Sequence, residues 1–290
     1  MDRNFLRQWK IIINPQFEIA QPFSENLAVV KKGNMYGFID LNGTFKIEPQ
    51  FDEAWDFSQG FAAIRKNNKW GYIDKTGSII IKPEFDLALN FSEDLAPVNI
   101  KGKWGFIDLN GNNIIKPQFI NISNFSEGLA AINSGFMARI TGLAGKWGFI
   151  DKTGTEIIKK QFRFAWPFKE NLAAVRTLVK YGFINKEGQF VIDPVYDFAN
   201  SFNEDRALVG IDNKYGFIDK SGKLVIDLKY HWSKGFSDGF APVSTNGKWG
   251  FIDLNGNTII EPQFDYALNF AENLAPVYID RKWAYISLDE

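Results

Sequence analysis

Lys103-Trp104-Gly105-Phe106-Ile107-Asp108-Leu109-Asn110-Gly111 is the stretch that decides the architecture. Its core, Lys-Trp-Gly, returns at Lys69-Trp70-Gly71, Lys146-Trp147-Gly148 and Lys248-Trp249-Gly250. Relaxed copies stand at Tyr36-Gly37, Lys180-Tyr181-Gly182, Lys214-Tyr215-Gly216 and Lys282-Trp283-Ala284. The step is 34 residues, except from Gly105 to Gly148, where it is 43. A fixed period of this size marks a tandem-repeat protein.

Working outward, the units start near 11, 45, 79, 113, 156, 190, 224 and 258 and read as a single array over residues 1–290. Each offers three short strands, rich in β-branched and aromatic residues and bounded by turn residues. They are Leu-Ala-x-Val (Leu95 to Val98), Trp-Gly-Phe-Ile-Asp (Trp104 to Asp108) and an Ile-Ile pair (Ile114 and Ile115). The link Asp-x-x-Gly, as in Asp253-Leu254-Asn255-Gly256, predicts a tight turn with its first position capped by Asp. Apolar residues at i, i+3 and i+6, as in Phe51, Ala54 and Phe57, suit one helical turn. The Gly after Trp sits inside a strand and predicts a ring of a neighbouring unit packed over it.

The expectation is an all-β chain of three-stranded units with one helical turn each, stacked as an open superhelical solenoid. A closed propeller-like ring is the alternative. The first strand (Ile11 to Ile13) and the last two (Leu274 to Val277, Trp283 to Ile286) would together complete one sheet. Against this, 34 residues are tight for a four-stranded blade.

These residues resemble the WG-repeat proteins, named for the Trp-Gly pair, over about residues 11–290. The resemblance implies tandem β-rich units, mostly in bacterial proteins, with molecular function largely undefined. Departures are Tyr36, Tyr181 and Tyr215 for Trp, Ala284 for Gly, and an insertion over 133–145.

Composition limits the functions. Net charge is −1, so the chain as a whole does not read as a nucleic-acid binder. With no cysteine, disulfides, thiolate metal sites and cysteine nucleophiles are excluded. Neither a signal-peptide pattern nor a membrane-length apolar run is present, so a cytoplasmic protein without membrane contact is expected. The acids (Asp40, Asp74, Asp108, Asp151, Asp219 and Asp253; Glu25, Glu93, Glu127, Glu170, Glu204 and Glu272) recur in nearly every unit. Recurrence argues for turn capping and lysine pairing, not for one catalytic constellation. The only histidine, His231, has no nucleophile partner in sequence. No enzyme, cofactor or metal is expected.

Trp70, Gly71, Trp104, Gly105, Trp147, Gly148, Trp249 and Gly250 therefore read as structural joints, and function is sought where units differ. The second residue after the Phe or Tyr of each P-x-F motif is aromatic only in the last four units: Phe164, Phe198, Trp232 and Tyr266. Trp166 lies two residues beyond the first. They form either an exposed stripe or the filling of a groove between units. The insertion adds Phe136, Met137, Ile140 and Leu143, as a functional loop or a folded-back hairpin tip. These residues make a protein- or peptide-binding scaffold the leading reading. Glycan or cell-wall binding is the alternative, and a hydrolase using paired acids is a third class. The partner and the oligomeric state are not encoded legibly.

Overall fold

The computed structural model describes residues 6–133 and 146–288. It contains eight antiparallel sheets of four strands, each a simple meander. Seven are contiguous, over residues 19–51, 53–85, 87–119, 121–162, 164–196, 198–230 and 232–264. The eighth takes Tyr266–Ala267, Ala275–Ile279 and Lys282–Leu288 from one end of the chain and Trp9–Phe17 from the other.

That last sheet corrects the solenoid expectation. Trp9 pairs with Leu288, Ile11 with Ile286 and Phe17 with Trp283, so the first strand completes the last sheet. The fold is an eight-bladed β-propeller closed by its own termini. Joints between consecutive units continue through the closure. The ring after the Trp-Gly packs on the Phe of the next unit's F-x-E segment in Phe106–Phe125, Phe149–Phe168 and Phe251–Phe270, with centroids 4.5–4.9 Å apart. Tyr285–Phe23, at 5.0 Å, repeats this contact between last unit and first. These pairs explain why aromatics make up 16% of the chain.

The helical turn is corrected too, since no helix occurs among the described residues. The segment after P-x-F instead holds the first strand of the next sheet, only two residues long, such as Leu87–Ala88. A two-residue hairpin turn follows. Glu93 and Asp94 have φ of 54° and 68°, and Ser92 and Leu95 exchange backbone hydrogen bonds of 2.9 and 3.2 Å. Positive φ at both central positions is the geometry that matches strand twist. So short a first strand is how 34 residues accommodate four.

Two compact units are present: Met1–Asp56 with Asn203–Glu290, and Phe57–Phe202. In the first, Ile13, Phe17, Ala20, Phe23, Val30, Ile39 and Tyr285 form one buried cluster. In the second, Leu129, Phe149, Ile158, Phe162, Phe168 and Val175 form another.

The Gly of the Trp-Gly pair is buried under backbone, not under a neighbouring ring as expected. Pairing slips between Trp70↔Phe85 and Tyr72↔Ile81, leaving a bulge in the fourth strand. A Cβ on Gly71 would lie 2.5 Å from the Ile81 carbonyl oxygen and 2.6 Å from the Pro83 nitrogen. Pro83 fits there because a bulged outer strand needs no N–H from it.

Candidate functional site

The recurrent acids are built into joints. In each Asp-x-x-Gly turn the carboxylate accepts amide hydrogens two and four residues on; for Asp40 these come from Asn42 and Thr44, both at 3.0 Å. The hydroxyls of Thr76, Thr153 and Ser221, with backbone amides, hold Asp74, Asp151 and Asp219 below the usual carboxylate range. The Glu of F-x-E reaches the next unit's turn. Glu93 accepts from the Gly128 amide (3.1 Å), Glu127 from Asn171 (3.0 Å) and Glu204 from Gly239 (3.0 Å). Glu272 accepts from Asn26 at 3.0 Å, the same latch made across the chain ends. Lysines ahead of the aromatic pair with acids: Lys69–Asp86, Lys180–Asp197 and Lys248–Asp265 at 2.6 Å, and Lys282–Glu18 at 2.7 Å. His231 stands in the Asp86 position, and its Nδ1 accepts from the Asn246 amide as Asp86 accepts from that of Lys101.

A cleft of about 900 Å³ opens between the fourth and fifth sheets, inside the Phe57–Phe202 unit. One side is Ile120, Asn121, Ile122, Ser123 and Asn124; the other is Arg163, Phe164, Ala165, Trp166 and Pro167. Asn133 and Trp147 complete the lining. Three half-buried rings meet there, with centroids 5.3 Å apart for Trp147–Phe164 and 5.0 Å for Phe164–Trp166. The indole N–H of Trp166 is tied to the Ala199 carbonyl at 2.9 Å, which fixes the ring. Ser123 is spent on the backbone, accepting from the Ala131 amide and donating to the Asn124 carbonyl, both at 2.9 Å.

The lining departs from the repeat. Ile122 is half-buried where six units place a buried alanine: Ala20, Ala54, Ala88, Ala165, Ala199 and Ala267. Ile120 and Arg163 occupy the position of Asp52, Asp86, Asp197 and Asp265. The larger Ile122 side chain needs room that alanine does not, and the cleft lies on its side.

The model for the WG containing repeat matches eight times, at residues 8–36, 36–70, 70–104, 104–135, 147–177, 181–215, 215–249 and 249–283. The chain belongs to the WG-repeat family. No curated protein sequence matches it. Among solved structures it is similar to a eukaryotic initiation factor, at TM-score 0.62 and 11% identity, over 95% of this chain and 86% of that one. Hsv2p of Kluyveromyces lactis aligns at TM-score 0.54 and 10% identity, over 96% and 98%. A looser likeness, TM-score 0.43 and 8% identity, joins the WD40 β-propeller domain of Doa1 over 98% of each chain. At these identities the likeness concerns the fold alone.

In this WG-repeat chain the unit-specific aromatics are half-buried, each against the WG-position ring of the preceding unit. The pairs are Trp147–Phe164, Tyr181–Phe198, Tyr215–Trp232 and Trp249–Tyr266, with centroids 4.6–6.3 Å apart. The cleft gathers Phe164 and Trp166; Phe198, Trp232 and Tyr266 do not line it. Phe136, Met137, Ile140 and Leu143 lie outside the described residues. The 134–145 segment joins Asn133 to the residue before Trp147, and both of those named residues line the cleft. Sequence reading missed Ile120, Ile122 and Arg163. The signal was available one residue before, and one after, the aromatic position already compared between units.

One half-buried acid is unlike the others. Asp56 stands where other units have Pro22, Asn90, Asn124, Pro167, Ser201, Gly235 and Asn269. Its Oδ1 is buried and accepts no hydrogen bond within the protein. Burial pushes its carboxyl from 3.8 up to about 6, and its charge helps raise the nearby Tyr285 phenol. A carboxyl raised in the folded state destabilises as pH climbs past its unfolded value, and the full penalty is present above the folded one. Asp56→Asn therefore stabilises at pH 7 by on the order of 2 kcal/mol, a gain that fades as pH falls from about 6 to 4. Urea midpoints across that range check it; a gain independent of pH refutes the assignment.

Proposed function

We propose that this protein is a non-enzymatic cytoplasmic scaffold that binds a protein or peptide in the cleft between its fourth and fifth sheets. The observation carrying this reading is the coincidence of an apolar, ring-lined cleft with a break in the repeat on both of its sides. Repeat propellers commonly serve as interaction scaffolds, and clefts with rigid aromatic anchors and few polar groups are where binding energy concentrates. The turn aspartates and the glutamates Glu93, Glu127, Glu204 and Glu272 are engaged in joints and are not asked to perform chemistry.

Restoring the repeat tests it. The triple variant Ile120→Asp, Ile122→Ala, Arg163→Asp replaces the lining with residues that other units use at the same positions. It returns an acid 17 residues after both Lys103 and Lys146, the separation of the Lys69–Asp86 pair. The variant is expected to melt within about 1 kcal/mol of the parent, since such exchanges follow the array's own solution. A pull-down from native lysate is expected to lose proteins that the parent retains. An identical partner set recovered by the folded variant rejects the cleft.

A further inference from the structure

Asn-Gly occurs four times in the chain, as Asn42-Gly43, Asn110-Gly111, Asn246-Gly247 and Asn255-Gly256. In this dipeptide the glycine nitrogen can reach the asparagine side-chain carbon with no Cβ in the way. Three of the four lie in Asp-x-x-Gly turns, where both amides are held. Asp40 accepts the Asn42 amide on its carboxylate at 3.0 Å and the Gly43 amide on its carbonyl at 2.8 Å. Asp108 does the same for Asn110 at 2.9 Å and Gly111 at 3.0 Å. Asp253 holds Asn255 and Gly256, both at 2.9 Å.

Asn246-Gly247 is built differently. It is the exposed tip of the hairpin between Phe240–Thr245 and Lys248–Asp253, with φ of 51° and 76°. The Asn246 amide donates to His231 Nδ1 at 3.2 Å, a longer bond than those in the Asp turns. Among the described residues nothing accepts from the Gly247 amide, and the space around it is open. The attacking nitrogen is therefore free at this site and engaged at the other three.

We propose that Asn246 is the residue at which this protein deamidates, with water as the only co-reactant. The Gly247 nitrogen attacks Cγ of Asn246, gives its proton to water and displaces the side-chain nitrogen as ammonia. Water then opens the resulting succinimide at either of its two carbonyls. Breaking the new bond from nitrogen to Cγ leaves aspartate in the native backbone. Breaking the main-chain bond leaves isoaspartate, whose backbone is longer by one methylene. Aspartate fits the tip, since Asp212 and Asp280 hold the same position in neighbouring units at φ of 48° and 50°. Isoaspartate lengthens a two-residue turn whose register sets Thr245 opposite Lys248, and so loosens this hairpin.

The full chain is incubated at mildly alkaline pH, folded and in urea, and its proteolytic fragments are followed by mass spectrometry. In the folded chain Asn246 is expected to convert ~10-fold or more faster than Asn42, Asn110 and Asn255, the effect of hydrogen bonds that must break first. In urea the four sites are expected to converge. Asp253→Ala, which releases the Asn255 amide, is expected to speed conversion at Asn255 and leave Asn246 unchanged. Asn246→Asp is expected to unfold at the parent's urea midpoint, and the separated isoaspartyl form at a lower one. Equal rates at the four sites of the folded chain overturn the proposal, as does a faster rate in any Asp turn. The folded ranking persisting in urea removes the fold as its cause. An isoaspartyl form as stable as the parent overturns the loosening of the hairpin.

Discussion

Gly71→Ala lowers the stability of this chain by about 3 kcal/mol or more, the upper range for forced overpacking. The added methyl would meet the Ile81 oxygen at 2.5 Å, the Pro83 nitrogen at 2.6 Å and the Lys82 carbonyl carbon at 2.8 Å. All three are backbone atoms of the bulged fourth strand, so no side chain can swing aside. Strand Lys69–Asp74 is held by Phe61–Lys66 on its other edge and cannot retreat. Gly247→Ala separates this from ordinary glycine effects. Gly247 has φ of 76° and open space around its Cβ position, so only the left-handed backbone is penalised, by about 1 kcal/mol. Ala284→Gly is the converse. That residue occupies the Trp-Gly position in the last unit and is fully buried. Its fourth strand, Trp9–Phe17, comes from the other chain end without an Asp-x-x-Gly turn, and so has freedom to accommodate the methyl. Glycine there is expected to lower stability by no more than about 1 kcal/mol. Denaturant midpoints at constant m-value rank the three; Gly71→Ala within 1 kcal/mol of the parent refutes the backbone-contact argument.

The glycine shows how sequence legibility divides in this chain. Repetition exposed what each unit needs from its own turn and strands. Asp40 caps Asn42 and Thr44 from within its own turn, and Lys69 meets Asp86 at a fixed separation. What lies across a bulge was not legible, because the slip between Trp70 and Tyr72 follows from three-dimensional closeness, not from periodicity. Nor was the two-residue strand Leu87–Ala88: a strand so short has no alternation to detect, and Phe85, Ala88 and Phe91 fall at helical spacing for another reason. The chain there leaves one sheet, enters the next and turns at Glu93–Asp94 with positive φ. The candidate site divides likewise. Phe164 and Trp166 stood out as aromatics. Ile122 and Arg163 announce themselves only against the alanine and aspartate of the other units, because neither residue type is unusual alone.

Removing residues 1–17 is expected to abolish cooperative folding, because the first strand closes the propeller. Ile13 and Phe17 are 3% and 0% exposed and belong to the cluster containing Phe23, Val30 and Tyr285. Burying two such side chains stabilises by about 3–6 kcal/mol together. To this are added the Trp9–Phe264 ring contact at 5.1 Å and the Arg7 amide bond to the Ile259 carbonyl at 2.9 Å. The sum rivals the whole net stability of an ordinary domain, about 5–15 kcal/mol. The truncation also leaves Lys282–Leu288 as an unpaired edge, an aggregation hazard. A second variant keeps the prediction decisive if the truncated chain is insoluble. Residues 6–17 are moved to follow Leu288 through a short Asp-Gly-containing turn, giving new termini at Glu18 and the transplanted strand. Trp9 lies opposite Leu288 in an antiparallel register, so this connection is the hairpin that every other unit already has between its third and fourth strands. The permuted chain is expected to fold with a single transition at a midpoint close to the parent's, whereas an open array would gain nothing from the transplanted strand. Thermal and urea unfolding of parent, truncation and permutant decide it: a truncated chain that melts cooperatively within about 1 kcal/mol of the parent shows that the strand is an ornament of the last sheet and not its closure.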